Sequence, residues 1–362
     1  MSLRLIDIFT QAASINALSQ NEKPVADFIR SFLSNSHFDI TEDSSKVISG
    51  SNTGNIICRV GDGGDFILLS HMDTARPTLN MRPVFVDEKI QSAGDTVLGV
   101  DNRLGIAILL YTLEKIVKEK ITTKNFTVAF TTCEETTLSG SKSLKLGTNI
   151  KRGFVFDSSF RPGCFINSAC GSIGFKIKII GRASHSGIAP EKGINAITVA
   201  VNALHNIKQG RIDQDTTLNI GKINGGSAVN VVPGETFLEG EVRSFSTSKV
   251  MELVEQVKNI FLNEAKKFDA QIEFDSQWDF KPFTINKDNQ VFKEITRVIN
   301  KVNLKPEPKI SLGGSDANSL NELGIPSVNI GIGAQNPHSN DEFVFIEDMI
   351  KSAEIAMELI KT

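Results

Sequence analysis

The chain has 362 residues, of which 40% are hydrophobic and 22% charged, and its 39 basic side chains nearly balance 42 acidic ones. This length predicts two domains or one elaborate domain, and the net charge of −3 excludes the basic surface typical of nucleic-acid-binding proteins. No apolar run approaches the ~20 residues of a membrane-spanning helix, and four cysteines without a C-x-x-C pair favour a reducing compartment. We therefore expect a cytoplasmic protein that binds neither nucleic acid nor membrane.

Strand-like and helix-like patterns alternate in the first half of the chain. Helical spacing over residues 3–36 predicts that the chain starts with helices of the mature fold rather than with a signal peptide. Asn55–Val60 and Phe66–Ser70 are short apolar runs that flank a G-D-G-G turn, which predicts a β-hairpin. Arg103–Lys118 has the clearest amphipathic helix pattern. Further strand-like runs lie at 126–131 and 154–156. This alternation favours an α/β fold with a mixed central sheet and helices on both faces.

The pattern changes near residue 171. Apolar residues alternate with polar ones over 173–179, which is typical of a half-solvated antiparallel strand. Helical and strand-like runs then follow one another at 193–209, 218–223, 236–245, 250–268 and 271–274. Helix–strand alternation returns from about 285, with 291–302 and 327–331. We therefore predict a smaller α+β domain at 171–280, inserted into a discontinuous α/β domain formed by 1–170 and 281–362.

Several side chains that could bind metal follow strand-like runs in the first half. His71 and Asp73, at positions i and i+2, face one side of an extended chain, so the carboxylate can orient the imidazole. A structural His–Asp pair is the simpler interpretation of this motif alone. Asp101 precedes the long helix, where aspartate commonly caps the first turn, although its two oxygens could instead bridge two cations.

Three further acids and a late histidine complete the set. Glu134 and Glu135 follow an apolar strand, a position that usually means a solvated turn. Asp157 closes the run G-F-V-F-D, and His338 follows a glycine-rich strand in what would ordinarily be a surface loop. Taken together, three of the four segments in the first half lie at strand ends, the edge at which open α/β sheets place their sites. Histidine and carboxylate ligands without thiolates suit zinc, manganese or cobalt.

The order and context of these residues resemble the dinuclear-zinc aminoacylase, carboxypeptidase and tripeptidase family, and peptidase T-like tripeptidases look nearest. The shared features are H-x-D at 71–73, Gly-x-Asp before a long helix at 101, Glu-Glu at 134–135, Asp157 and His338. Supporting stretches at 181–197, 224–244 and 313–326 extend the resemblance over nearly the whole chain. The resemblance implies that the inserted domain serves as a lid and forms a homodimer.

The resemblance also assigns a role to each metal-compatible residue. It implies two zinc ions, with cobalt or manganese as alternatives, and Asp101 as the ligand that bridges both. His71 and Asp157 would complete one site, and Glu135 and His338 the other. It further implies a cis peptide bond after Asp101.

For catalysis, the resemblance implies that Asp73 orients His71 and that Glu134 is the general base for a metal-bridged hydroxide. Substrate binding would fall to residues of the inserted domain and of the 313–316 loop, namely His185, Asn230, Arg243, Gly314 and Ser315. Arg243 would hold a substrate carboxylate, because its planar guanidinium matches that group.

Two details refine the functional prediction. The usual Asp-Asp pair at the bridging position is Asp101-Asn102 here, a form that also resembles a neighbouring clan of tetrahedral aminopeptidases. Those enzymes insert their extra domain between H-x-D and this aspartate, where the present chain has only a short segment. In addition, family members with aspartate at the position of Asp157 tend to be aminopeptidases or dipeptidases.

The sequence therefore predicts a dinuclear zinc aminopeptidase for short peptides, with tripeptides as the expected substrate. An amidohydrolase on the same scaffold, either an N-acyl amino acid deacylase or a carboxypeptidase, would share the metal chemistry and stays open as the alternative. A non-catalytic peptide-binding protein is disfavoured because every ligand is present. No G-x-S-x-G motif supports a serine hydrolase, and no P-loop motif supports nucleotide hydrolysis.

Overall fold

A computed structural model describes residues 2–362, which divide into two compact units. The first unit comprises the chain up to Ser168 together with Phe283–Ser311 and Ser315–Thr362. The second comprises Ala169–Pro282 and the short segment Leu312–Gly314. The predicted insertion at 171–280 lies within this second unit.

The described residues form eleven α-helices and a short 3-10 helix at Pro190–Lys192. The α-helices are α1 (Ser2–Ala13), α2 (Lys23–Leu33), α3 (Lys46–Ser49), α4 (Val100–Glu119), α5 (Glu134–Thr137), α6 (Ser139–Lys142), α7 (Ala196–His205), α8 (Thr247–Lys267), α9 (Gln290–Lys301), α10 (Asp316–Glu322) and α11 (Ile346–Ile360). None of those within residues 2–362 combines the length and apolar character that crossing a bilayer requires.

The same part of the chain forms nineteen strands. They are β1 (Asp39–Glu42), β2 (Ile56–Val60), β3 (Phe66–His71), β4 (Pro83–Val86), β5 (Lys89–Ser92), β6 (Phe126–Thr131), β7 (Arg152–Ser158), β8 (Cys164–Ala169), β9 (Gly171–Ile180), β10 (Ser184–His185), β11 (Gly210–Asp213), β12 (Thr216–Gly225), β13 (Val231–Val232), β14 (Glu235–Ser244), β15 (Gln271–Phe280), β16 (Phe283–Thr284), β17 (Glu307–Ser311), β18 (Ser327–Gly331) and β19 (Phe343–Phe345).

The first unit is built on a mixed sheet with the strand order β1-β2-β6-β3-β7-β18-β8-β16, and β17 pairs with β8. The central neighbours β6, β3, β7 and β18 are parallel, whereas β1, β2 and β8 pair antiparallel. Every residue of β3 and β6 is buried, so both faces of the sheet centre are covered. The predicted mixed α/β fold is therefore confirmed.

The predicted hairpin between β2 and β3 is wrong. The two strands are not paired with each other, because β6 lies between them, antiparallel to β2 and parallel to β3. The G-D-G-G segment does connect consecutive strands, but a turn signal reports only a local reversal of the chain. Which strands become neighbours depends on burial, and β6, whose six residues are all buried, lies between two other strands.

Helix α4 approaches the sheet closely at Gly105. A Cβ atom at this position would lie 2.3 Å from the backbone oxygen of Phe156 in β7 and 2.6 Å from the hydroxyl of Ser70 in β3. No side chain other than hydrogen fits there, because such distances are far inside van der Waals contact. The glycine thereby lets the start of α4, which carries Asp101, reach the ends of β3 and β7.

The second unit has a five-stranded antiparallel sheet in the order β11-β12-β14-β9-β15. Helices α7 and α8 pack on β9 and β14, and the alternate residues Ile173, Phe175, Ile177 and Ile179 of β9 enter the core beneath them. The alternation predicted for this strand is confirmed, with antiparallel partners on both sides. Two smaller sheets are β10-β13 in the second unit and β19-β5-β4 in the first.

Candidate metal centre

Three predicted metal ligands and the predicted general base lie at or just beyond the carboxyl ends of neighbouring strands. His71 is the last residue of β3, Asp157 is the sixth residue of β7, and Glu134 and Glu135 begin α5 shortly after β6. Since β6, β3 and β7 are parallel neighbours, their carboxyl ends meet at one edge of the sheet. Asp101 reaches the same edge from the first turn of α4.

Asp101 lies between two imidazoles. Its Oδ1 atom is 3.1 Å from Nε2 of His71, and its Oδ2 atom is 3.1 Å from Nε2 of His338. Each imidazole also faces a second carboxylate: Nε2 of His71 is 3.2 Å from Oδ1 of Asp157, and Nε2 of His338 is 3.1 Å from Oε1 of Glu135. The arrangement has two halves that share one carboxylate, and the peptide bond after Asp101 is cis.

The hydrogen bond made by Nδ1 of His71 decides the tautomer of this imidazole. Nδ1 lies 3.1 Å from the backbone oxygen of Asp73, which can only accept, so Nδ1 carries the proton and donates it. In the neutral imidazole, Nε2 then presents a lone pair to the carboxylate oxygens of Asp101 and Asp157. Two acceptors at about 3 Å repel each other unless a cation or a proton lies between them.

The charge of the cluster also calls for cations. Hydrogen bonds to Asp101 and Glu135 raise the pKa of His338 to about 10, and burial raises the pKa of Glu134 and of Asp157 above the ordinary carboxyl values. Raised pKa values are expected of buried carboxyl groups that face one another without a cation. The donor atoms of His71, Asp101 and Glu135 lie within 4.8 Å of one another, and so do those of His71, Glu134 and Asp157. Nitrogen and oxygen donors in this arrangement fit a pair of divalent ions such as zinc, manganese or cobalt.

Asp73 is completely buried and contacts several residues of the cluster. One of its carboxylate oxygens, Oδ1, is 3.3 Å from Nδ1 of His71. The carboxylate also accepts hydrogen bonds from the backbone N–H groups of Glu134 and Glu135, both at 3.1 Å, and from the hydroxyl of Ser19 at 2.6 Å. The sequence suggested only the contact with His71. The amide contacts show that Asp73 also holds the turn that carries the two glutamates.

Glu342 is a buried acid that sequence reasoning missed. Only 1% of its surface is exposed, and its carboxylate accepts hydrogen bonds from the backbone N–H groups of Gly99 at 2.6 Å and Asp101 at 3.1 Å. Burial raises its pKa to about 7. The one sequence signal for Glu342 was its position in N-D-E-F, four residues after the predicted ligand His338. Nothing in that string shows that the carboxylate meets the start of α4.

The predicted substrate-binding residues are spread over the second unit and the start of α10. His185 and Asn230 are exposed, and Nδ1 of His185 accepts a hydrogen bond from the backbone of Gly187. Arg243 donates to both carboxylate oxygens of Glu241, at 3.0 and 2.9 Å. Of the other two, Gly314 packs so closely on the ring of Phe280 that a Cβ atom would lie 2.6 Å from it, and Ser315 caps α10. Their roles toward substrate stay predictions.

Comparisons with known proteins agree with this fold. Residues 167–269 match the family described as peptidase dimerisation domain, M20_dimer, and residues 80–172 match the family described as M42 glutamyl aminopeptidase. The second match includes the Asp-Asn-Arg segment that resembles tetrahedral aminopeptidases. Between Asp73 and Asp101, however, the structure has only the hairpin β4–β5, and the second unit begins after Asp157.

Relatives cover the whole chain. The uncharacterized protein YqjE of Bacillus subtilis (strain 168) is 30% identical over 99% of this chain and 98% of its own length. A tripeptidase from Staphylococcus aureus subsp. aureus Mu50 superposes with a TM-score of 0.92 at 30% identity, covering 100% of this chain and 98% of its own. Aminopeptidase PepT from Bacillus cereus ATCC 10987 superposes with a TM-score of 0.87 at 29% identity, covering 99% and 98%.

The fold and the candidate site together define a metallopeptidase, a hydrolase of peptide bonds. The chain belongs to the M20 family, the dinuclear metallopeptidase family of aminoacylases, carboxypeptidases and tripeptidases that its sequence resembles.

Proposed function

We propose that this protein is a zinc-dependent aminopeptidase of the cytoplasm that hydrolyses short peptides, chiefly tripeptides, with Glu134 as the general base. The observation that carries the proposal is the placement of Asp101 between two imidazole–carboxylate pairs. The similar proteins that bear the names tripeptidase and aminopeptidase PepT support the substrate class. Asp157, rather than glutamate, at its position favours cleavage from the amino end of the peptide.

The ligands would divide between the two halves of the cluster. Asp101 would bridge the ions, His71 and Asp157 would complete one site, and Glu135 and His338 the other. When bound, the two ions would lower the pKa of a shared water molecule and polarise the scissile carbonyl.

Glu134 is suited to move a proton. Its Oε2 atom is 3.9 Å from Nε2 of His71, farther than the carboxylate oxygens of Asp101 and Asp157. Burial, together with the charges of Asp157 and Glu135, raises the pKa of Glu134 well above its ordinary value. A carboxylate with a raised pKa takes up a proton readily, and the leaving amine nitrogen would receive that proton next. General acid–base catalysis of this kind typically contributes about 10²–10⁴-fold.

Substrate binding would involve His185, Asn230 and Arg243 of the second unit. Arg243 already holds the carboxylate of Glu241 through two of its nitrogens. The carboxylate of a peptide would compete for the same planar fork. His185 would assist the carbonyl oxygen of the substrate, and Asn230, Gly314 and Ser315 would contact its polar groups. The match to the peptidase dimerisation domain supports a homodimer formed through this unit.

Hydrolysis of unblocked and blocked substrates tests the proposal. Tri-alanine, di-alanine, tetra-alanine, N-acetyl-alanine and a tripeptide of three different residues are incubated with purified protein in the presence of zinc or cobalt, and the released amino acid is identified and measured. We expect tri-alanine to be cleaved fastest of the alanine substrates, the mixed tripeptide to release its amino-terminal residue first, and chelation of the metal to abolish activity. Cleavage of N-acetyl-alanine alone would contradict the aminopeptidase and favour the deacylase. Release of the carboxyl-terminal residue first would favour the carboxypeptidase.

A further inference from the structure

Arg103 is a fully buried cation with an unusual set of partners. It lies on α4, two residues after Asp101, and none of its surface is exposed. Within residues 2–362 its hydrogen bonds go to backbone oxygens and no salt bridge reaches a carboxylate. One guanidinium nitrogen, Nη1, donates to the oxygen of Met72, and the other, Nη2, donates to the oxygens of Ile15 at 3.3 Å and Ala17 at 3.2 Å. Burying a charge is costly, so its place in the fold calls for a reason.

The Met72 carbonyl lies between the two residues of the H-x-D motif. Strand β3 ends at His71, so the next carbonyl has lost the partners that a sheet supplies. The N–H of Met72 donates to the oxygen of Thr131 at 2.7 Å, and Arg103 binds its oxygen. Both polar groups of this residue are therefore held, and the orientation of His71 on one side and Asp73 on the other is set by them.

The other acceptors of Arg103 connect the same motif to the chain between α1 and α2. The oxygen of Ala17 also accepts a hydrogen bond from the backbone of Thr74 at 3.1 Å. Two residues further on, the hydroxyl of Ser19 donates to Asp73. Arg103 thus ties the start of its own helix, which bears Asp101, to the motif directly and through residues 15–19.

We propose that Arg103 is a positioning residue for the metal centre. It holds the His71-Met72-Asp73 segment against the start of α4 so that His71 and Asp101 can share one cation. This inference rests on the proposed metal centre, and it distinguishes Arg103 from an arginine that only stabilises the fold. A stabilising arginine would affect unfolding without affecting the metal.

Arg103→Met, Arg103→Lys and a matched control, Arg152→Met, test the inference. Arg152 is also a buried arginine of the first unit, but its partners are Glu294 and Asp65. Three quantities are measured: the zinc dissociation constant by competition with a chromogenic chelator, the visible absorption spectrum of the cobalt-loaded protein, and the thermal midpoint with chelator present.

We expect Arg103→Met to raise the zinc dissociation constant by about tenfold or more, as changes behind metal ligands commonly do, and to alter the cobalt spectrum. Arg103→Lys keeps the positive charge but lacks the planar guanidinium with its several donors. It should therefore change the zinc dissociation constant and the cobalt spectrum in the same direction but by less. Arg152→Met should lower the thermal midpoint while zinc affinity and the cobalt spectrum stay as in the wild type.

Unchanged zinc affinity and cobalt spectrum in Arg103→Met would overturn the inference, as would equal changes in Arg152→Met. Should Arg103→Met fail to fold, Arg103→Lys decides by the same two readouts. A wild-type protein that binds no zinc or cobalt would instead overturn the metal centre itself, so the two failures are distinguishable.

Discussion

The carboxylate of Asp73 accepts a hydrogen bond from the backbone N–H of Glu134 at 3.1 Å. The same carboxylate lies 3.3 Å from Nδ1 of His71, so one buried group orients a proposed metal ligand and the proposed general base together. The two proposed functions of the site, holding ions and moving a proton, would therefore be linked through a buried residue that is not itself a proposed metal ligand.

Asp73→Asn should impair both functions. An amide of the same shape has one acceptor fewer, so it cannot bind the N–H groups of Glu134 and Glu135 and keep its contact with His71. We expect kcat to fall and zinc affinity to weaken, each by about 10- to 100-fold. Steady-state kinetics and zinc titration measure these changes. Ser19→Ala, which removes only one donor to Asp73, is the control and should have a smaller effect. Equal losses of kcat and zinc affinity in the two variants would contradict the proposed role of Asp73 in positioning both His71 and Glu134.

Glu134→Gln and Glu135→Gln form a matched pair of adjacent, isosteric changes. The first should keep both ions and lose about 10²–10⁴-fold in kcat, because an amide cannot take up the proton. The second should lose zinc at the site shared with His338, because the amide is a weaker ligand than a carboxylate. Metal content by atomic emission and turnover of tri-alanine separate the two outcomes. Substantial turnover by Glu134→Gln would remove Glu134 from its proposed role.

Glu342 should make the metal-free protein less stable as the pH rises. Burial raises its pKa from the ordinary 4.5 to about 7, so the folded state retains a proton that the unfolded state releases. The protonated Glu342 stabilises the folded state fully at a pH below its ordinary pKa, and this stabilisation is lost as the pH rises to about 7. The free energy of unfolding should fall by roughly 1–3 kcal/mol over this range. Urea unfolding in chelator at pH 5 and pH 7.5 measures this change. Glu342→Gln cannot titrate and should show a flatter dependence; parallel profiles would contradict the prediction.

The four cysteines should differ in how fast they react with a thiol reagent. Burial raises the pKa of Cys58 and Cys133 to about 12 and that of Cys170 to about 11, whereas Cys164 is partly exposed. Since the thiolate is the reactive form, a disulfide reagent at neutral pH should modify Cys164 first. We expect one thiol to react quickly in the native protein and four after denaturation. Cys164→Ser should abolish the fast phase, and a fast phase that persists would contradict the burial of the other three.

Local patterns along the chain were sufficient for much of the fold. Strand β18 lies at Ser327–Gly331, as its apolar run predicts, and β9 shows the alternation that its sequence predicts. Both patterns depend on residues one or two positions apart. The hairpin predicted for β2 and β3 failed, because their true neighbour, β6, lies more than fifty residues further along the chain.

The sequence by itself determined the residue types at the strand ends, the order of the candidate ligands and the family. Only the tertiary structure decided which atoms face one another. Oδ2 of Asp101 meets His338 across 237 positions, Glu342 meets the amides at the start of α4, and Arg103 meets the oxygen of Met72. Periodicity reports neighbours along the chain, whereas the partner of a buried polar group depends on how all the strands and helices pack to satisfy it.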